Sequence, residues 1–549
     1  MTRRRPWLSH YDPGVPADIH APEGLLGDRV GEAARRWPDR VALTYYEYDL
    51  TYAELATQVN AFGRALFAKG LRPGERVMLA LPNIPQAVIA FYGALEAGAV
   101  VALCDPLSPA DDIAYKVRDC SPRFIVTIRP VLPALLEAGV PAAQVVVTRM
   151  RDYLPTMRGA FVSLFDRRGA MTAARAADLL WMRDLIQDAL SQATEVGRAE
   201  VSSPAPSPEA VAVLAYTSGT SMRPRAVMLT HRGVIANTEQ TRLLLTDAEE
   251  GREVVLAAVP LSHSFGLSFM NLGLSLGARL LLVPRFKSSD VLSLIGRHRP
   301  TIFPGVPAMY VSLVNHPRVK TYALGSIRAC VSGGTPLPVE VREAFERLTK
   351  GRVIEGYGLT EAGPVTHANP FNAPRPASIG VPLPSTDARV VDPSSGAERE
   401  VGEIGELEVR GPQLMAGYWN RDDETRQAFR DGWLRTGDLA TMDADGYFQV
   451  LGRACDVIRI DGHDVYPRDV EEVLFEHPRI REAAVTGVFS DGGVVLRAHV
   501  VPRYGERLRA TEVIEFCAGR LSPWKVPTLV KIEKALPRTS AGKVQRRLL

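Results

Sequence analysis

The chain has 549 residues, too many for one hydrophobic core and enough for about three or four domain-sized units. Its 46% hydrophobic and 23% charged residues exclude an intrinsically disordered polypeptide, and 65 Lys+Arg against 62 Asp+Glu give no electrostatic reason to expect a nucleic-acid partner. Five scattered cysteines (Cys104, Cys120, Cys330, Cys455 and Cys517) lack C-x-x-C spacing, which argues against a disulfide framework or a structural zinc site and for a reducing, cytoplasmic compartment.

The amino terminus carries Arg3-Arg4-Arg5, but Pro6, His10, Asp12 and Pro13 follow where a secretory signal needs an apolar stretch. Like Arg546-Arg547 at the other end, these arginines read as solvated. Between residues 28 and 130 helical and strand patterns alternate. Leu55, Val59, Phe62, Leu66 and Phe67 have helical spacing, 76–81 follows Pro73-Gly74 as a buried strand, and 88–97 returns to helix. That alternation predicts right-handed βαβ units and a mostly parallel sheet. The longest apolar stretches, 87–104 and 269–283, are interrupted by Glu96 and Arg279 and read as helix followed by buried strand rather than as bilayer spans.

Residues 153–190 carry amphipathic patterns, with Leu154, Phe161, Leu164 and Phe165 opposing Arg158, Arg167 and Arg168, then a cluster of Leu179, Leu180, Trp181, Met182, Leu185 and Ile186. The first reading is a helix packed on its own protein, and the alternative is contact with a membrane surface or a greasy ligand. A Pro/Ser linker at 202–209 precedes the apolar run 211–215. Further strands are predicted at 254–259, 280–283, 327–331 and 352–355, continuing the same pattern. Between 370 and 450, short strands at 388–391, 405–409 and 447–451 suggest a small barrel, and 456–549 suffice for one compact α+β domain.

Several of these elements end in residues suited to a nucleotide. The run Tyr216-Thr217-Ser218-Gly219-Thr220-Ser221 offers Ser/Thr hydroxyls and backbone N–H groups to a polyphosphate, with Arg223 and Arg225 following; it is not a Walker A sequence. In Glu355-Gly356-Tyr357-Gly358-Leu359-Thr360-Glu361 two glycines permit close approach to a planar ligand, Tyr357 gives a stacking face, Thr360 a hydroxyl, and Glu361 a hard oxygen for Mg²⁺. Ser332-Gly333-Gly334-Thr335-Pro336 is a glycine turn at a strand end, where open α/β sheets place ligands. Trp433-Leu434-Arg435-Thr436-Gly437-Asp438 presents an acid suited to a ribose diol, fifteen residues before Arg453. Pro537-Arg538-Thr539-Ser540-Ala541-Gly542-Lys543 sets one lysine on a glycine turn. Taken singly, each also reads as an ordinary turn, hairpin or cap.

In this order and at these separations the motifs resemble the adenylate-forming superfamily of acyl-CoA synthetases, aryl-CoA ligases, peptide-synthetase adenylation domains and firefly luciferase. Leu95-Glu96-Ala97-Gly98-Ala99, Pro260-Leu261-Ser262-His263-Ser264-Phe265-Gly266 and Gly411-Pro412-Gln413-Leu414-Met415-Ala416-Gly417-Tyr418-Trp419 extend the resemblance over nearly the whole chain. The opening Pro6-Trp7-Leu8 and Tyr11-Asp12-Pro13-Gly14-Val15-Pro16, with Val147-Thr148-Arg149 ahead of the amphipathic segment, look most like bacterial long-chain fatty-acid–CoA ligases.

The resemblance implies an α/β fold: a large N-terminal domain (1–454) of two βαβ-type sheet subdomains plus a small β-barrel, and a smaller mobile α+β C-terminal domain (455–549). It implies ATP, Mg²⁺ and CoA as co-substrates and cofactor, and a fatty acid activated as acyl-AMP. Thr217, Ser218, Gly219, Thr220 and Ser221, with Arg225, would hold the phosphates. Glu361, with Thr217, would bind Mg²⁺, and Thr360 would contact the α-phosphate. Gly334 and Tyr357 would border the adenine, with Thr335, Glu355 and Gly356 in the same nucleotide-binding set, while Asp438 and Arg453 would grip the ribose. Lys543 would bridge the substrate carboxylate and the α-phosphate. His263 matches a position beside the acyl pocket; the alternative is a histidine satisfied within its own turn.

The chain departs from the family pattern at Ser221, Met222, Arg225 and Ala226 in the phosphate loop and at the hinge residue Cys455. A side chain where a glycine takes φ > 0 costs on the order of 1 kcal/mol. Two other readings therefore stand: a fatty acyl-AMP ligase loading a carrier-protein phosphopantetheine, and a non-catalytic nucleotide- or acyl-binding relative. Ser522-Pro523-Trp524-Lys525 has S-x-x-K spacing without its S-D-N or K-T-G partners, so a serine hydrolase is the weakest reading.

Overall fold

The computed structural model describes residues 5–20, 23–154, 178–195, 206–217, 224–460, 462–490, 493–503, 505–538 and 544–549. Ser218, Gly219, Thr220, Ser221, Met222, Arg223 and Lys543 lie outside them, as do Arg158, Phe161, Leu164, Phe165, Arg167 and Arg168.

Two large sheets dominate the described residues. One has eight strands in the order Gly417–Tyr418, Arg225–Thr230, Val211–Thr217, Val100–Leu103, Arg76–Ala80, Phe124–Ile128, Val145–Thr148 and Leu180–Trp181. The six from Val211–Thr217 onward run parallel and the first two antiparallel. The strand that leads into the phosphate loop thus joins this sheet, not the 254–357 sheet with which its position in the sequence grouped it. The second sheet has nine strands and is built round Val254–Ala257, Arg279–Leu282, Ile302–Gly305, Ala329–Ser332 and Arg352–Gly358. Val41–Tyr45 pairs parallel to Arg279–Leu282, which carries the early chain into this second sheet.

Helix and sheet signals in the sequence correspond to local devices. The helix Tyr52–Ala68 starts at a capping box: Glu54 N–H donates to Thr51 Oγ1 at 3.2 Å and the Thr51 N–H to Glu54 Oε2 at 2.8 Å. Such a cap contributes about 1 kcal/mol. Met182, Leu185, Ile186 and Ala189 of the helix Met182–Glu195 are buried in the main core, packed on the Tyr52–Ala68 helix, so this amphipathic face is covered by the protein itself. Among the described residues no helix is long and apolar enough to cross a membrane.

Five antiparallel strands, Asp387–Val391, Gly405–Arg410, Phe429–Arg430, Trp433–Met442 and Phe448–Arg453, occupy the region where the small barrel was expected. An antiparallel bridge between Gly380 and Phe448 ties them to the edge of the nine-stranded sheet. The amino-terminal residues strap this junction: Trp7 is buried, Tyr11 donates to the Pro382 carbonyl at 2.8 Å, and Asp12 accepts from the Phe371 and Asn372 N–H groups at 2.7 and 3.0 Å.

Beyond Ile458 the chain forms its own layer, with strands Ile480–Ser490, Gly493–Pro502 and Leu529–Ile532 against helices Pro467–Phe475 and Ala510–Ala518. Its apolar cluster, including Val470, Leu474, Val485, Leu496 and Val513, takes no residue from before Ile458.

Candidate active site

The carboxyl ends of Ala329–Ser332 and Arg352–Gly358, the end of Val211–Thr217 and the Trp433–Arg453 hairpin face one cavity of about 1960 Å³. Thr217, Arg225, His263, Gly334, Thr335 and Glu355 line it, and so do Gly356, Tyr357, Thr360, Glu361, Asp438 and Arg453. Every described residue assigned to the site from sequence therefore reaches the same space. Cys455, in the turn Ala454–Asp456, lies on its rim and is exposed.

Asp438 organises one wall. It stands directly opposite Arg453 in the antiparallel hairpin, which explains the fifteen-residue separation. Arg453 Nε lies 2.8 Å from Asp438 Oδ1, and the Tyr357 hydroxyl donates to Asp438 Oδ2. Thr436 completes the turn: its Oγ1 accepts from the Asp438 N–H at 3.1 Å, and its carbonyl accepts from Arg453 Nη1 at 3.2 Å. Burial and the adjacent Asp438 carboxylate hold the Tyr357 phenol well above its ordinary range, and the same carboxylate raises the Arg453 guanidinium. A carboxylate fixed by a phenol and a guanidinium is a suitable acceptor for sugar hydroxyls.

Behind Tyr357 runs a row of edge-on rings. Tyr357 meets His367 at 5.8 Å between centroids, His367 meets Phe448 at 4.9 Å, and Phe448 meets Trp7 at 6.2 Å. His367 is fully buried, which lowers its imidazole to about 3 and leaves it neutral at ordinary pH.

A second wall is set by register. Ser332 pairs with Glu355 across parallel strands, and Glu355 Oε2 accepts from the Leu337 N–H at 3.1 Å, holding the 332–336 turn in place. Burial raises the Glu355 carboxyl. Gly334 takes φ +91°, which favours glycine. Gly358 is also required by packing. A Cβ there would stand 2.0 Å from the Pro364 carbonyl oxygen, so close chain packing by itself demands glycine. Gly358→Ala should cost about 1–3 kcal/mol through overpacking, read as a lower midpoint in thermal denaturation.

A third wall joins three elements. Thr360 opens the turn Thr360–Ala362, and its Oγ1 lies 3.2 Å from Ser264 Oγ. Glu361 Oε1 accepts from the Tyr418 hydroxyl at 2.9 Å, and Tyr418 sits on a strand paired with Arg225–Thr230. Among the described residues Thr217 Oγ1 is buried with no hydrogen-bond partner, at the end of the strand Val211–Thr217. One carboxylate and nearby hydroxyls fit Mg²⁺, a hard cation that takes most of its oxygens from phosphate and water. Among the described residues no cluster of three or more His, Cys, Asp or Glu side chains forms a metal cage, so a divalent ion here depends on phosphate oxygens.

Arg225, which lines the cavity, has two neighbours on its wall. Its guanidinium lies 4.4 Å from the Tyr418 ring centroid, and its Nη1 lies 3.3 Å from Glu424 Oε2. His263 caps the helix Ser264–Ser275, its Nδ1 accepting from the Phe265 N–H at 3.3 Å, while also lining the cavity. Sequence reasoning assigned no role to Tyr418, Ser264 or Thr436. Tyr418 lies in the Gly417-Tyr418-Trp419 motif that supported the resemblance, but only the folded chain aims its hydroxyl at Glu361.

Comparison with known proteins agrees with this geometry. The AMP-binding enzyme family matches residues 30–419, and the AMP-binding enzyme C-terminal domain matches residues 469–543. A long-chain-fatty-acid–CoA ligase of Bacillus subtilis (strain 168) is 38% identical over 100% of this chain and 98% of its own length. One from Escherichia coli O157:H7 is 32% identical over 100% and 98%. Among solved structures, an anthranilate CoA ligase in complex with anthranoyl-AMP superposes with a TM-score of 0.82 at 25% identity, covering 97% of this chain and 96% of that one. The chain therefore belongs to the AMP-binding enzyme family, within the adenylate-forming superfamily, and carries both of that family's domains in one polypeptide.

Proposed function

We propose that this protein activates a medium- or long-chain fatty acid with ATP to acyl-AMP and then transfers the acyl group to CoA. The observation that carries the reading is the convergence of Thr217, Tyr357, Thr360, Glu361, Asp438 and Arg453 on one cavity. Relatives named long-chain-fatty-acid–CoA ligase over the full length support the substrate class.

In the first step a carboxylate oxygen of the acid attacks the α-phosphorus of ATP, the bond to the β-phosphate oxygen breaks, and pyrophosphate leaves. In the second, the CoA sulfur attacks the acyl carbon, AMP leaves, and the thiol proton is lost to solvent. Because charge rather than covalent chemistry dominates the first step, the protein acts by positioning and electrostatic stabilisation. Asp438 and Arg453 orient the ribose, Tyr357 and Gly334 border the adenine, and Thr360 donates to the α-phosphate. Glu361, with Thr217, is the set that holds Mg²⁺, whose charge offsets that of the phosphates.

The domain assignment 1–454 and 455–549, with rotation about Cys455, belongs to the same proposal. It is supported by the separate apolar core beyond Ile458 and by the polar character of the contact from Arg468 to the Val450 carbonyl.

The test is ATP–pyrophosphate exchange with a panel of fatty, aryl and hydroxy acids, followed by AMP release with CoA or with a carrier-protein phosphopantetheine. Fatty acids should give the fastest exchange and CoA the faster second step. Preference for aryl acids, or no acid-dependent exchange, would overturn the reading. Glu361→Gln keeps the Oε1 acceptor for Tyr418 and so should fold. It should raise the MgCl₂ concentration for half-maximal exchange about tenfold or more, because a neutral amide is a poor ligand for Mg²⁺.

A further inference from the structure

We propose that Lys116 is a phosphate-binding residue of this cavity, adding a second positive charge to that of Arg225. The proposal rests on the reading that the cavity receives a phosphorylated substrate, and it adds to that reading a residue that no motif contains.

Lys116 lies on the helix Ala110–Cys120 and is only 7% exposed, yet it lines the same cavity as Thr217 and Thr360. Buried lysines are rare unless paired. Among the described residues, the Lys116 Nζ has one polar partner, Ser108 Oγ at 3.4 Å, and it also lies 5.5 Å from the centroid of the Tyr216 ring. No carboxylate stands within ion-pair distance of it among those residues. Asp112, one turn earlier on the same helix, lines the same cavity, and two other nearby acids are engaged with other groups. Asp119 accepts from the Tyr216 hydroxyl at 3.0 Å and lies 3.3 Å from Arg421 Nη2, and Asp105 accepts from the Leu107 N–H at 2.8 Å. An ammonium has three donors, and a weakly partnered one at a cavity wall is poised for an anion from the cavity.

Its place in the chain sharpens the assignment. Tyr216, against which Lys116 packs, immediately precedes Thr217, whose buried hydroxyl lacks a partner among the described residues. On the neighbouring strand Arg225 pairs with Thr217 in register, its guanidinium beside Glu424 and the Tyr418 ring while its Nε has no hydrogen-bond partner among the described residues. One strand end thus carries a cation on either side. The chemistry that fits Lys116 is a phosphate oxygen, from either the triphosphate of ATP or the phosphates of CoA.

The experiment uses the full chain carrying Lys116→Met, with Lys116→Gln as a second variant. Dissociation constants for inorganic pyrophosphate and for CoA are measured by calorimetry without any acid, so the outcome does not depend on turnover or on the acid preference proposed above. Loss of a charge-assisted hydrogen bond should weaken one of the two ligands about tenfold or more, while thermal stability without ligand stays the same or rises. Weakened pyrophosphate binding assigns Lys116 to the triphosphate, and weakened CoA binding assigns it to the thiol substrate. Either outcome supports a phosphate site. Wild-type affinities retained for both ligands, or failure of both variants to fold, would overturn it.

Discussion

Lys543→Ala should reduce acid-dependent ATP–pyrophosphate exchange to background, a loss of about 10³-fold, while thioester formation from supplied acyl-adenylate survives. The role assigned to Lys543 is a cation aimed at the oxygens where charge accumulates as pyrophosphate departs, and removing one such stabilising group costs about 10²–10³-fold. The residues on either side of 539–543 are well fixed. Arg538 and Val544 form an antiparallel bridge, and the Gln545 N–H donates to the Pro537 carbonyl at 2.8 Å. Arg538 holds Glu482 at 2.7 Å, and Arg546 holds Glu471 at 2.7 and 2.8 Å. Arg538, Val544 and Arg546 all line the cavity that contains Thr360 and Glu361. Separating the half-reactions makes the test selective: a general folding defect would remove both, and undiminished pyrophosphate release would show the role to be wrong.

Asp438→Ala should raise the KM for ATP by about 10²-fold or more, with a smaller effect on kcat once ATP saturates. Two charge-assisted hydrogen bonds to the ribose are at stake, each contributing about 1.5–3 kcal/mol. The variant also frees Tyr357 and Arg453 from their shared anchor. Arg453 is 41% exposed, so its released charge returns to water and the fold should survive. Asp438→Asn keeps one acceptor and should lose only about tenfold. Steady-state exchange at varied ATP distinguishes these outcomes. An unchanged KM in Asp438→Ala would remove the ribose contact from the mechanism.

The residues that sequence reasoning located were those whose chemistry is tied to local chain geometry. Asp438 and Arg453 were found because a hairpin fixes their spacing, and the turn beginning at Thr360 because it follows a strand end. The residues it missed act across the fold. Nothing local distinguishes Lys116 from the other charges on an amphipathic helix; its burial arises only when Tyr216 and Ser108 close over it. Arg225 has the residue type expected of a phosphate cation, but its neighbours Glu424 and Tyr418 come almost two hundred residues later. The packing demand at Gly358 was not legible, because Pro364 comes back over it only in the folded turn. Sheet membership behaved likewise. Periodicity located the strand Val211–Thr217, while long-range pairing chose its sheet.

The line of rings from Trp7 to Tyr357 couples the start of the polypeptide to the surface on which the adenosine is proposed to rest. Trp7 never approaches a substrate, but withdrawing it leaves an unfilled space beside Phe448, and His367 and then Tyr357 can settle into the slack. Shortened or fused amino termini are therefore expected to be felt as weaker grip on nucleotide, at a distance and before any general unfolding.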